Sequence, residues 1–168
     1  MNNWKTYILS IFWVPLLIIQ IIMVIILGKV NVMGMSYLMY LGWFIWLISL
    51  VFGWWPIFIL KRKGGVKKGK SYVHTTKLVK SGLYSIVRHP QYTAGILFSL
   101  AMPLISQDLW VILIGITIIK LLYIDIWLTD KLEIDKFGEK YKEYIKEVPR
   151  VNFLLGLVRW YQRRRRLK

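Results

Sequence analysis

Arg88, His89 and Tyr92 stand within five residues of one another at the head of one apolar run, and Asp130 and Glu133 stand just past the end of the next. A guanidinium fork holds a carboxylate or phosphate through parallel hydrogen bonds, an imidazole holds or relays a proton, and a carboxylate seats an ammonium. His74 and Tyr84 lie a few residues upstream of the first group, and Tyr141 and Tyr144 follow the second at i, i+3. Charges inside or at the edge of apolar spans are costly, so each needs a partner or a function. Lys120 and Asp125 lie within the second run, where Lys120 is expected to snorkel and Asp125 to be interfacial or paired. The sequence has no cysteine, which excludes disulfides, thiolate metal sites and cysteine nucleophiles.

These residues need a scaffold, and the composition says which solvent it folds in. The 168 residues are 57% hydrophobic yet carry a formal net charge of +16. The two properties are segregated: residues 7 to 60 hold a single basic residue, Lys29, whereas Lys61 to Arg88 hold nine. Such contiguous apolarity in so short a chain points to lipid, and the chain is expected to be an all-α, polytopic membrane helix bundle forming one domain. Tyr7 to Leu27 and Tyr37 to Leu60 are the first two expected spans, the first retained rather than cleaved, the second rich in tryptophan suited to the membrane interface. Lys61 to Pro90 is a glycine-punctuated basic loop that cannot face lipid. Tyr92 to Ile105, short for a span and carrying Pro103, and Leu109 to Leu128 form a helical hairpin around the polar turn Ser106-Gln107-Asp108. From Thr129 an amphipathic extension of largely helical spacing, interrupted at Gly138, runs to Pro149, followed by an apolar and aromatic segment, Arg163 to Arg166 and Lys168.

A hairpin returns the chain to the face it left, so the Arg88-His89 entrance and the acidic exit should be neighbours although more than 40 residues apart. About four spans put both termini and the basic loop on one side, and the excess of Lys and Arg makes that side cytoplasmic. The cluster Lys61, Arg62, Lys63, Lys67, Lys68 and Lys70 is then expected to meet anionic lipid headgroups. No basic-aromatic motif for nucleic acid is present, and none is expected as a partner.

Leu78-Val79, Gly82 and Tyr84, followed by Arg88-His89-Pro90-Gln91-Tyr92 and Gly95, resemble the Leu-Val-x-x-Gly-x-Tyr and Arg-His-Pro-x-Tyr signature of the membrane methyltransferases. That superfamily includes isoprenylcysteine carboxyl methyltransferases and phospholipid N-methyltransferases. Downstream, Phe137-Gly138, Tyr141 and Tyr144, then Val148-Pro149-Arg150, resemble its Phe-Gly-x-x-Tyr-x-x-Tyr and Val-Pro ending. The likeness covers the chain from about Lys61, so that residues 1–60 supply two spans and 61–168 the methyltransferase-like core. In the family a pair of Glu commonly precedes the Phe-Gly motif, where this chain has Thr129-Asp130. A His often stands two residues before the Leu-Val pair, where Thr76 stands here and His74 lies further upstream.

The resemblance implies S-adenosylmethionine as cofactor, bound by Leu78, Val79, Gly82, Tyr84, His89, Tyr92, Tyr141 and Tyr144, with Arg88 and Asp130 at the reacting end. It implies a lipid-like or isoprenylated substrate entering from the bilayer, and carboxyl methylation as the leading reaction. Aromatic faces suit a sulfonium, and paired charges suit the zwitterionic end of the cofactor. Phospholipid amine methylation, a nicotinamide-dependent sterol-type reductase and a non-catalytic lipid-binding protein of the same fold are the alternatives.

Overall fold

The computed structural model describes residues 4–67 and 69–166, with side chains from residue 9 onward, so Lys68 and Lys168 lie outside the described residues. The described residues form six α-helices and no strand. These are α1 (Trp4–Ile21), α2 (Ser36–Lys63), α3 (Pro90–Ser106), α4 (Leu109–Phe137), α5 (Glu139–Glu147) and α6 (Phe153–Arg166). A π-helical turn, Ile22–Ile26, prolongs α1. Among the described residues, three stretches are long and apolar enough to cross a bilayer: Leu9–Ile26, Ser36–Lys63 and Leu109–Phe137. The fourth expected span, α3, has 17 residues, or about 25 Å of helix against a hydrocarbon core of about 30 Å. Phe12, Ile11, Phe44 and Trp54 are more than half exposed, as side chains that face lipid rather than a protein core should be.

One boundary differs from expectation in a way that matters for the site. The apolar run ends at Leu128 and the amphipathic extension begins at Thr129 as expected, but the two are one helix: α4 continues unbroken to Phe137, and the interruption expected at Gly138 is where it stops. Nothing between Thr129 and Phe137 breaks a helix; the stop is Gly138, at φ +58° and ψ −136°, a conformation open to glycine that costs a side chain about 1–3 kcal/mol. Asp130 and Glu133 therefore ride on a rigid helix.

The chain clusters into two compact units, Met1–Leu50 with Ala94–Thr129 and Val51–Thr93 with Asp130–Lys168. In the first, Val24, Met102, Ile105 and Val111 form a buried cluster with Met39, Trp46 and Phe98 around it. Small residues allow the close approach this needs: a Cβ on Gly42 would lie 2.8 Å from the Ile105 nitrogen, and one on Gly115 2.7 Å from the Ser99 carbonyl oxygen. Two buried polar groups find partners across the unit. Gln20 donates to the Val111 carbonyl at 3.1 Å, and Trp13 Nε1 donates to Asp125 at 3.0 Å, the paired role expected of that carboxylate. At the hairpin turn the Gln107 amide accepts from the Met35 nitrogen and donates to the Met35 carbonyl, while Lys29 pairs with Asp108 at 2.8 Å. That pairing holds the Asp108 carboxyl below its ordinary range.

The second unit is organised by the loop 64–89. Its start is pinned by Thr76 and Lys77 nitrogens on the Gly64 carbonyl and by the Thr76 hydroxyl on the Gly65 carbonyl. Lys63 bonds Ser81 and Lys136 bonds Thr75, so the loop is tied to the ends of α2 and α4. A 3-10 turn, Gly82–Ser85, leads into Arg88, and α6 packs on this turn. Phe153 meets Phe52 with ring centroids 5.6 Å apart, and Gly156 is buried against the Ile86 carbonyl.

Candidate active site

Asp130 sits at the centre of a buried polar knot. Its Oδ2 accepts from Arg88 Nη2 at 3.0 Å and from Arg150 Nε at 2.7 Å; its Oδ1 lies 2.7 Å from both His89 Nε2 and the Tyr141 hydroxyl. The neighbourhood expected of the Arg88-His89 entrance and the acidic exit is thus direct contact. A carboxylate can only accept, so His89 carries its proton on Nε2, the tautomer this network requires. Burial raises the Tyr141 hydroxyl above the ordinary phenol range, and the Asp130 charge adds to the effect, so Tyr141 remains a donor. Four donors fill the roughly four acceptor positions of one carboxylate.

The elements that bring these groups together are fixed by main-chain bonds. The Arg88 and His89 nitrogens donate to the carbonyls of Pro149 and Arg150 at 3.0 and 3.1 Å, a two-bond latch between the head of α3 and the segment after α5. Arg88 Nη1 reaches the Ile145 and Val148 carbonyls at 3.2 and 2.8 Å, which neutralises orphan acceptors at the C-terminus of α5. Thr93 returns its hydroxyl to the His89 carbonyl at 3.0 Å.

The other residues singled out in the sequence gather around this knot. Leu78 packs on the buried cluster of Tyr141, Tyr144 and Val148, and Val79 is buried. Gly82 adopts φ +64°, and a Cβ there would lie 2.6 Å from Ile59. Tyr92 is half-buried and presents its ring edge-on to His89, with centroids 5.7 Å apart. Tyr84 is buried, and burial, with Tyr72 and Glu133 nearby, raises its hydroxyl. Tyr144 donates to the Tyr84 carbonyl at 2.5 Å, so its hydroxyl is committed to holding the 3-10 turn. Glu133 lies on α4 with its side chain 28% exposed and Lys136 4.0 Å away. His74 is exposed in the loop.

Two residues were not assigned a role from sequence. Arg150 was visible only as the last letter of the Val-Pro-Arg ending, and nothing in its spacing points across 20 residues to Asp130. Arg163 was pooled with the terminal basic run, but it donates to the Ser85 carbonyl at 2.6 Å and to the Glu147 carbonyl, which ties α6 to the turn before Arg88. An isolated cation after a turn, and the first of a run on an apolar helix, are the weak signals that point to them.

A polytopic helical membrane protein with a buried, charged knot where an apolar helix ends is the class that fold and site together define. A family model for phospholipid methyltransferase matches residues 37–131, more than half of the chain, and the chain belongs to that family. The match begins upstream of Lys61, where the likeness in the sequence starts, and takes in α2 from Tyr37 along with Arg88, His89 and Asp130. No curated protein and no solved structure matches the chain.

Proposed function

We propose that the protein is an S-adenosylmethionine-dependent methyltransferase acting on a lipid-like or isoprenylated acceptor, with carboxyl methylation of the isoprenylcysteine type as its reaction. The observation that carries this reading is the knot on Asp130. It gathers Arg88, His89, Tyr141 and Arg150 around one carboxylate, within reach of the Tyr92 ring. Its residues fit the cofactor: guanidinium donors exceed the acceptors available, which suits a carboxylate, and Tyr84 and Tyr92 offer aromatic faces suited to a sulfonium. When bound, the cofactor supplies an electrophilic methyl group. The chain's own part is to hold, align and keep water from the reacting pair, because a methyl displacement gains most from orientation.

The same knot bears on the acceptor. An amine must lose a proton before it can be methylated, whereas a carboxylate is already an anion at neutral pH. Asp130 is fully occupied by four donors and His89 Nε2 is itself donating, which leaves the imidazole's Nδ1 as the basic nitrogen of the knot. A carboxylate acceptor asks nothing of that nitrogen, and it is the first reading. A phospholipid amine is the second reading and would rest on His89 Nδ1 or on Glu133, whose partially exposed carboxylate has Lys136 at 4.0 Å as its ion pair.

Calorimetric titration of the purified chain with S-adenosylmethionine and with NADPH tests the class. The expected outcome is binding of the first in the range of about 1 μM to 1 mM usual for substrates, and none of the second. An isoprenylated cysteine should then accept the methyl group and phosphatidylethanolamine should not. Binding of NADPH alone, or of neither, would remove the methyltransferase reading.

We further propose that this face is cytoplasmic, with α3 as a fourth, shielded span and the basic loop set against anionic headgroups. Because the sequence lacks cysteine, Val73→Cys in the exposed loop gives a single label site. An impermeant maleimide should react with it only after the cytoplasmic membrane of cells is opened. Labelling of intact cells would reverse the topology.

A further inference from the structure

The buried knot has more positive charge and more donors than its own residues can use. Arg88 and Arg150 contribute two guanidinium charges against the one carboxylate of Asp130, with which both are bonded. Asp130 has no acceptor capacity left, since its two oxygens already take four donors. Two sets of donors remain. Arg88 Nε is buried with no acceptor among the described residues, and Arg150 uses only Nε, so that its two terminal amino groups meet no protein acceptor there.

Exposure decides where a ligand could meet this surplus. The side chains of Arg88, His89 and Asp130 are 5%, 8% and 6% exposed, whereas that of Arg150 is 39% exposed. Arg88 is spent on the Ile145 and Val148 carbonyls and on Asp130, so the anion-holding role that its place in the sequence suggested is closed to its terminal nitrogens. Arg150 differs. Asp130 holds its Nε at 2.7 Å, which anchors the guanidinium at one point and leaves its terminal amino groups uncommitted to Asp130. A planar donor pair anchored by a buried carboxylate can receive an oxyanion through two parallel bonds, and the anchored side chain loses less entropy on binding than a free one.

We propose that Arg150 is the oxyanion seat of this site: its outer guanidinium edge, oriented by Asp130, binds a carboxylate or phosphate of a ligand in two-pronged fashion. The seat rests on the methyltransferase reading for the identity of that ligand. The oxyanion comes either from the amino acid end of S-adenosylmethionine or from the acceptor, and the test separates the two. Arg150 also serves as a structural partner of Asp130, so the variants are chosen to keep that contact distinguishable from ligand binding.

The full chain in lipid nanodiscs, wild type and as Arg150→Gln and Arg150→Lys, is titrated calorimetrically with S-adenosylmethionine and with decarboxylated S-adenosylmethionine, alongside thermal melts. If the cofactor supplies the anion, Arg150→Gln weakens S-adenosylmethionine at least tenfold, leaves the decarboxylated compound within twofold of wild type, and Arg150→Lys recovers only part of the loss. If the acceptor supplies it, cofactor affinity is unchanged and KM rises at least tenfold for an anionic acceptor but not for its methyl ester or amide in competition. Either pattern supports the seat. Wild-type affinities, KM and melting temperature in Arg150→Gln would overturn it, and so would an equal loss for both cofactor forms that tracks a lower melting temperature. Should wild type bind no S-adenosylmethionine at all, the methyltransferase reading falls by itself. The seat is then read from stabilisation by inorganic phosphate, which wild type should show and Arg150→Gln should lose.

Discussion

Asp130→Asn is expected to destabilise the protein by about 3–5 kcal/mol, the cost of removing one partner from a buried ion pair. The amide that replaces the carboxylate has one accepting oxygen and one donating nitrogen. At least two of the four donors now on Asp130 would therefore lose an acceptor or face a competing donor. The charge of Arg88, 5% exposed, would be left without a counter-ion in a medium where that is expensive. From the sequence, where Arg88 and Asp130 stand as a pair at the reacting end, exchange of charge for amide would be expected to harm turnover more than folding. With Asp130 holding the head of α3, the end of α4, α5 and Arg150 together, both should fall. Differential scanning fluorimetry should show a melting temperature lower by roughly ten degrees or more, and methyl transfer should drop at least a hundredfold. Asp130→Glu, which keeps the charge but adds a methylene, should recover part of the stability. An Asp130→Asn protein that melts like wild type would mean that the knot does not hold these elements together.

Gly156→Val should be the second most damaging single change, although Gly156 touches no candidate ligand. A Cβ at this position would lie 2.1 Å from the Ile86 carbonyl oxygen and 2.9 Å from its carbon. Backbone atoms cannot rotate away as a side-chain end can, so α6 must lift from the turn that precedes Arg88. Overpacking of this kind costs typically 1–3 kcal/mol, and more when backbone has to move. Lifting α6 would also withdraw Arg163 from the Ser85 and Glu147 carbonyls. Amide hydrogen exchange should therefore rise in residues 82–89 as well as in α6, and S-adenosylmethionine binding should weaken with it. Gly138→Ala is the control: it meets nothing within 4 Å and bears only the strain of φ +58° with ψ −136°, about 1–3 kcal/mol. Exchange in residues 82–89 that stays at the wild-type level in Gly156→Val would show that α6 does not position the site.

Much of the architecture was legible because bilayer thickness imposes a length on apolar runs that no other constraint overrides. The starts of α2 and α3, the polar turn at Gln107 and the stop near Pro149 follow from where charge, glycine and proline interrupt those runs. The meeting of Arg88 and His89 with Asp130 was legible too, since a hairpin of two helices must bring its ends together. The interruption at Gly138 was legible as well, but the continuity of α4 through Thr129 was not, because hydropathy falls there while helical geometry does not change. A change of solvent is not a change of backbone conformation.

By itself, then, the sequence determined the solvent, the helical class, the order of the elements and which polar residues meet at one end of a hairpin, all consequences of local composition and spacing. Only the tertiary structure decided how the donors are shared. Arg88 is spent on the carbonyls at the end of α5, Tyr144 on the Tyr84 carbonyl and Arg163 on the turn before Arg88, while Arg150, unassigned from spacing, takes the exposed edge of the Asp130 knot. The reason is that a buried carboxylate has about four acceptor positions and a folded chain offers it more donors than that. Which of them reach it depends on distances across segments far apart in sequence, and no local pattern encodes those distances.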